Sequence, residues 1–139
     1  TKELKFGLNK LSSYIKFSKK VDESKKKLIK IFNYLKNKKK KIIGYGASAK
    51  AVTIINYCNL KEDYFDFFYD TTKQKMNKFL PGTKIKVIKY KKLKNVKNYV
   101  ILGARNFYKE ILQKEKFFFN KSGKFITHAP SPRIIKKRM

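Results

Sequence analysis

The residues best placed by type and spacing to do chemistry are Gly44-Tyr45-Gly46-Ala47-Ser48-Ala49. They fit G-x-G-x-x-G/A with alanine in the last slot. The apolar run KIIGYG leads into them, and the helical pattern ASAKAVTIINYC begins within them. In that setting Gly44 permits a sharp turn, Gly46 lets a ligand approach the backbone, and Ala49 lets the helix pack close to the strand. Free N–H groups at the helix start, with the positive end of its dipole, make an anion site to which Ser48 adds a hydroxyl donor. A phosphate is the natural guest. The alternative is that these small residues serve only tight strand-to-helix packing.

Four further residues carry two readings each. Lys50 places a cation in the first helical turn, which opposes the dipole unless an anion sits there, yet a lysine-rich chain could place it so by chance. Asp70 closes a strand about 24 residues after Gly46, near the spacing at which dinucleotide folds place a ribose-binding acid; it also suits the start of a loop. His128, the only histidine, sits at a strand's carboxyl end but has no carboxylate or serine near it in sequence, so no catalytic residue is assigned. Cys58 on an apolar helix face reads as a small buried hydrophobe rather than a nucleophile. A single cysteine rules out an intrachain disulfide and a cysteine zinc site, and no metal-ligand cluster is present.

Positioning these residues requires alternating strands and helices. Residues 1 to 20 carry apolar positions at three- and four-residue spacing and read as an N-terminal helical linker segment. Val21 to Lys36 form a second helix with Asp22 as candidate N-cap. Then come the strand and helix around Gly46, the strand YFDFFYD, a polar loop with a Pro81-Gly82 turn, and strands at Ile85–Ile88, NYVILGA and GKFITHAP. The helix FYKEILQKEKFF precedes the last of these. The expected class is α/β, a Rossmann-like, doubly wound, mostly parallel sheet of about five strands with helices on both faces. It occupies residues 21–132, followed by a mobile basic tail over 133–139.

The charge of +28 would ordinarily point to nucleic acid or an anionic membrane. Only Arg105, Arg133 and Arg138 among 37 basic residues are arginines, however, whereas bidentate phosphate and base recognition favours guanidinium. The lysines are spread along the chain beside abundant Asn, Ile, Tyr and Phe, a mix that an AT-rich genome produces. Specific nucleic-acid binding is therefore not expected. No apolar run reaches the roughly 20 residues of a membrane helix, and no signal peptide is visible, so a cytoplasmic location is expected. A first residue of Thr1 rather than Met is expected of a trimmed chain or one that begins inside a longer polypeptide.

GYGASAK, Asn56-Tyr57-Cys58, the strand ending in Asp70, Lys73-Gln74, Phe79-Leu80-Pro81-Gly82-Thr83 and Asn106-Phe107 together resemble the C-terminal domain of sugar C-methyltransferases. The likeness runs in order from about Phe17 to Pro132. It implies an enzyme with a zinc-binding segment, a central domain that binds S-adenosylmethionine, and this Rossmann-like domain. It further implies a substrate that is a nucleotide-linked keto-deoxysugar. The ketone acidifies the neighbouring C–H, a base removes that proton, and the enolate attacks the sulfonium methyl group. The base and cofactor site belong to the central domain, so this chain supplies substrate contacts and would not transfer methyl groups alone. Carried over, Gly44, Gly46, Ala47, Ser48 and Lys50 form a loop facing an interdomain cleft, with Asn106 and the loop from Lys73 through Pro81 to Gly82 beside it. The sequence departs from the family where Ala51 stands for Gly, where Lys75 and Met76 replace a Gly, where Arg105 stands for Trp, and near His128, where a Pro is usual. A free-standing module that holds a nucleotide sugar or dinucleotide, without catalysis, is the alternative function.

Overall fold

Helices at the N-terminus follow from the apolar repeat. The computed structural model describes residues 1–137; a short helix α1 (Lys2–Lys5) precedes the 27-residue α2 (Leu11–Asn37). Leu28, Phe32 and Leu35 of α2 are buried against the sheet, each contributing about 1.5–3 kcal/mol. The expected helix start at Asp22 is not observed. No glycine or proline interrupts residues 11–37, so the helix runs straight through the expected segment boundary at residue 20. Asp22 instead accepts a hydrogen bond from the Tyr57 hydroxyl at 3.1 Å, tying α2 to the next helix.

Six strands form one sheet: β1 (Ile42–Tyr45), β2 (Phe68–Asp70), β3 (Val87–Lys89), β4 (Tyr99–Leu102), β5 (Lys124–Thr127) and β6 (Arg133–Ile135). Their order is β3-β2-β1-β4-β5-β6. The first five run parallel and β6 pairs antiparallel with β5. Residues 133–135, expected to begin a tail, are thus an edge strand. Pro130 and Pro132 turn the chain back rather than ending regular structure, and Ile134 and Ile135 pack on opposite faces of the sheet. Lys136 and Lys137 follow without regular structure, and Arg138 and Met139 of the expected tail lie outside the described residues.

Side chains alternate across the sheet as a period of two demands. Ile42, Ile101 and Ile126 face α2 and α3 (Ala49–Tyr57), while Ile43, Val100 and Phe125 face α4 (Tyr108–Lys114) and α5 (Lys116–Asn120). Between β3 and β4 there is no helix; Tyr90, Leu93 and Val96 cover the second face directly. Because β1 lies between β2 and β4, the chain winds one way from β1 and the other way from β4. The carboxyl ends of these strands therefore part, which opens a crevice.

Candidate functional site

The glycine turn at the carboxyl end of β1 is held by its own side chains. The Ser48 hydroxyl caps α3, accepting from the Ala51 N–H at 3.2 Å and donating to the Gly103 carbonyl at 2.7 Å. Its proton is therefore engaged inside the protein, not offered to a ligand as expected. Gly46, with φ of +88°, makes the turn. Gly44 lies within β1, where the Phe68 ring fills the space a side chain would need. The bare Cα of Gly46 is approached by Ala104, whose Cβ would lie 2.7 Å from an added Cβ. A bulkier residue at 46 would thus disturb the fold as well as any ligand. Ala49 is exposed, and the close packing expected of it falls to buried Ala47 and Ala51. The N–H groups of Ser48, Ala49 and Lys50 have no acceptor among the described residues.

Asp70 is the second anchor. Its carboxylate accepts from the Ala47 and Thr72 N–H groups, each at 2.8 Å. Lys75 donates to the Ala47 carbonyl at 2.8 Å and lies 3.5 Å from the same carboxylate. Burial would raise the carboxyl's pKa. The hydrogen bonds from Thr72 and Ala47 and the Lys75 charge outweigh it and hold the group below its ordinary 3.8. A depressed carboxyl stabilises the fold above its unfolded pKa, and that stability is lost as pH falls through the folded value. Asp70→Asn should therefore cost about 1–3 kcal/mol at neutral pH, and the gap to the parent should close below pH 3.8. Denaturant melts of both proteins from pH 7 to pH 2.5 check this; a gap independent of pH would mean that the charge is not involved.

Beside these anchors lies a cleft of about 330 Å³. Tyr45, Tyr69 and Tyr90, from the ends of β1, β2 and β3, line it together with Asp70, Thr71, Thr72 and Lys75. Phe107, Glu110, Ile111 and Lys114, at the start of α4 and along it, form the opposite side. Tyr45 and Tyr69 are register partners, and Tyr90 meets both rings edge-on at 5.5 and 6.1 Å. Beneath them sits Glu115, fully buried, accepting from the hydroxyls of Tyr45 and Tyr90 and from the Leu93 N–H at 3.0 Å. Burial first, and then the bond to Glu115, push the Tyr90 hydroxyl up to about 12. Burial likewise raises Tyr45 and Tyr69.

Of the residues expected to bind substrate, Gly46, Ser48 and Asp70 line this cleft, with Tyr45 between the glycines. Lys50 and Asn106 come together at 2.9 Å through the Asn106 carbonyl oxygen; both are exposed, and neither lines the cleft. Lys73 is exposed in a single 3₁₀ turn and does not line the cleft. Pro81 and Gly82 do not join it either. The Asn56 amide donates to the Pro81 carbonyl at 2.9 Å and Lys61 to the Gly82 carbonyl at 2.8 Å, which pins that turn to the far end of α3.

Arg105 holds the β5–β6 connection, donating to Thr127 Oγ1 at 3.0 Å and to the Ala129 carbonyl at 3.1 Å. His128 packs among Ala51, Ile54 and Ile55 on the opposite face; burial first, and then the charges of Arg105 and Lys50, depress its pKa. Cys58 is buried in the first core cluster, and burial raises its thiol.

The tyrosines, Lys114 and Glu115 were not reached by sequence reasoning. One signal for the first was present, since Tyr45, Tyr69 and Tyr90 each stand at or next to a strand's last residue. Among the described residues no group of three or more His, Cys, Asp or Glu gathers as a metal site, and no helix is long and apolar enough to cross a membrane.

The profile of the family described as C-methyltransferase C-terminal domain matches residues 1–130. C-methyltransferase NovU of Streptomyces niveus is 36% identical over 97 residues, which are 69% of this chain and 23% of that protein. The chain thus spans under a quarter of the length of that curated relative.

Proposed function

This chain belongs to the C-methyltransferase C-terminal domain family, and we propose that it is the substrate-side domain of an S-adenosylmethionine-dependent C-methyltransferase acting on a nucleotide-linked keto-deoxysugar in the cytoplasm. The methyl donor is bound, and the C–H proton removed, by a separate methyltransferase domain upstream. This Rossmann-like domain contributes binding and orientation. The observation that carries the reading is the cleft at the sheet's winding reversal, where α/β folds collect ligands.

The cleft combines three features that a nucleotide sugar needs. Tyr69, Tyr90 and Phe107 offer aromatic surface for a base or sugar ring. Asp70 retains lone pairs for sugar hydroxyls beyond the bonds it already accepts. The open N-terminus of α3, with Lys50 beside it and Lys75 and Lys114 at the cleft, suits a diphosphate. S-adenosylmethionine fits less well, since its sulfonium cation would meet those lysines.

Calorimetric titration with nucleotide sugars, NAD and S-adenosylmethionine at moderate salt tests the reading. A nucleotide sugar should bind, S-adenosylmethionine should not, and Tyr69→Ala should weaken the binding about tenfold through lost stacking. Preferential NAD binding would instead support a stand-alone dinucleotide module. Salt-sensitive binding of every anion alike would reduce the cleft to bulk charge.

A further inference from the structure

Twelve large apolar side chains are exposed among the described residues, and seven of them lie between residues 4 and 17. Chance scatter over the surface would not gather them so. Phe6 is 77% exposed, Leu11 75% and Phe17 67%. They continue a pattern that the core uses. On α2, Leu35, Phe32 and Leu28 are buried and Val21 is half-buried. Stepping on by four and three residues along the same stripe reaches Phe17 and then Tyr14, with no sheet beneath them. The first half of α2 therefore extends the core-facing stripe of the domain beyond the domain itself. The turn after α1 adds Phe6, and the Ser13 hydroxyl fastens that turn by donating to the Gly7 carbonyl at 2.8 Å.

We infer that the apolar face of residues 4–17 is a docking surface for the methyltransferase portion of the enzyme, which meets it with an apolar groove rimmed by acidic residues. The partner's identity rests on the functional reading above; the existence of the face does not. Three observations select this occupant. The family match begins at residue 1, so the face lies inside the shared domain and is not an appendage of this chain alone. The relative matched over 97 residues is a C-methyltransferase more than four times as long as that segment, so such an enzyme holds ample structure to cover the face. Lys5, Lys10, Lys16, Lys19 and Lys20 flank it, in a chain of net charge +28. Like charges oppose a second copy seating there and favour an acidic rim.

Photocrosslinking tests the inference. Benzoylphenylalanine replaces Phe17 in the protein produced in its own cells, and captured peptides are sequenced. Peptides of a methyltransferase, on the same polypeptide or a separate one, are expected. Leu11→Lys with Tyr14→Lys should reduce that capture about thirtyfold, as loss of a central apolar anchor does. Both positions are exposed, so an unchanged thermal transition will show that the variant folds. Capture of a second copy, of lipid, of an unrelated protein, or of nothing overturns the inference. Sedimentation of the purified chain and flotation with phosphatidylglycerol vesicles check the first two directly. Nucleotide-sugar titration of the parent protein separates the two readings. Intact sugar binding without methyltransferase capture defeats only the docking surface, whereas capture without sugar binding defeats only the substrate cleft.

Discussion

Gly103→Val should lower the midpoint of the cooperative thermal unfolding transition by about 10 °C or more. Gly103 follows β4 directly, and a Cβ there would run into the carbonyl oxygen of Gly46 and lie 3.0 Å from the Cβ of Ala51. Neither neighbour can retreat. The Gly46 N–H donates to the Tyr69 carbonyl at 2.8 Å, the Ala47 N–H is held by Asp70, and Ala51 is packed in the first core cluster. Gly103 is equally fixed, donating to the Tyr45 carbonyl at 2.9 Å and accepting from Ser48. Overpacking a site pinned on both sides costs about 3 kcal/mol, the upper end of the usual range for a core insertion. A domain of this size has only about 5–15 kcal/mol to lose. Circular dichroism melts of the variant check the prediction; a midpoint within a few degrees of the parent's would mean that the β1 and β4 turns can separate.

That crossing of two turns explains what the sequence could and could not disclose. The alternation of Ile42 with Ile43 and of Val100 with Ile101 is local, so the parallel strands and their two faces were legible. The strand-turn-helix around Gly46 was legible for the same reason. Gly103 gave no signal, because its need for a bare Cα arises from a segment 57 positions earlier in the chain. The edge strand β6 was hidden by two prolines that usually end structure. Asp70 was legible as an acid at a strand end, but its bonds to Ala47 and Thr72 depend on how the two loops meet. Pro81 and Gly82 looked like ligand residues because the family resemblance, in whose pattern they accompany Asn56, sets their loop beside the glycine turn. The structure gives that company a packing reason, since the Asn56 amide and Lys61 hold the turn. The tyrosine wall was illegible as a unit, since three residues far apart in sequence become neighbours only through strand register.

Glu115→Ala should destabilise the domain by on the order of 3–5 kcal/mol, because it leaves the hydroxyls of Tyr45 and Tyr90 and the Leu93 N–H without an acceptor. Glu115→Gln keeps an acceptor for the hydroxyls but turns an amide donor toward the Leu93 N–H, so it should cost about half as much. Stability alone does not distinguish a positioning residue from a merely packed one; the tyrosines do. Their raised pKa values mean that the fold gains stability which is complete below pH 10 and is lost as pH climbs through the folded values, about 12 for Tyr90. In Glu115→Gln the negative charge is gone while burial, the larger cause, remains. Absorbance titration should therefore find Tyr90 ionising nearer to 10 without reaching it. The same variant should bind nucleotide sugar more weakly, because two rings of the cleft wall lose the carboxylate that sets their tilt. An unmoved tyrosine titration with unchanged binding would reduce Glu115 to a buried acid that holds the Leu93 backbone and nothing more.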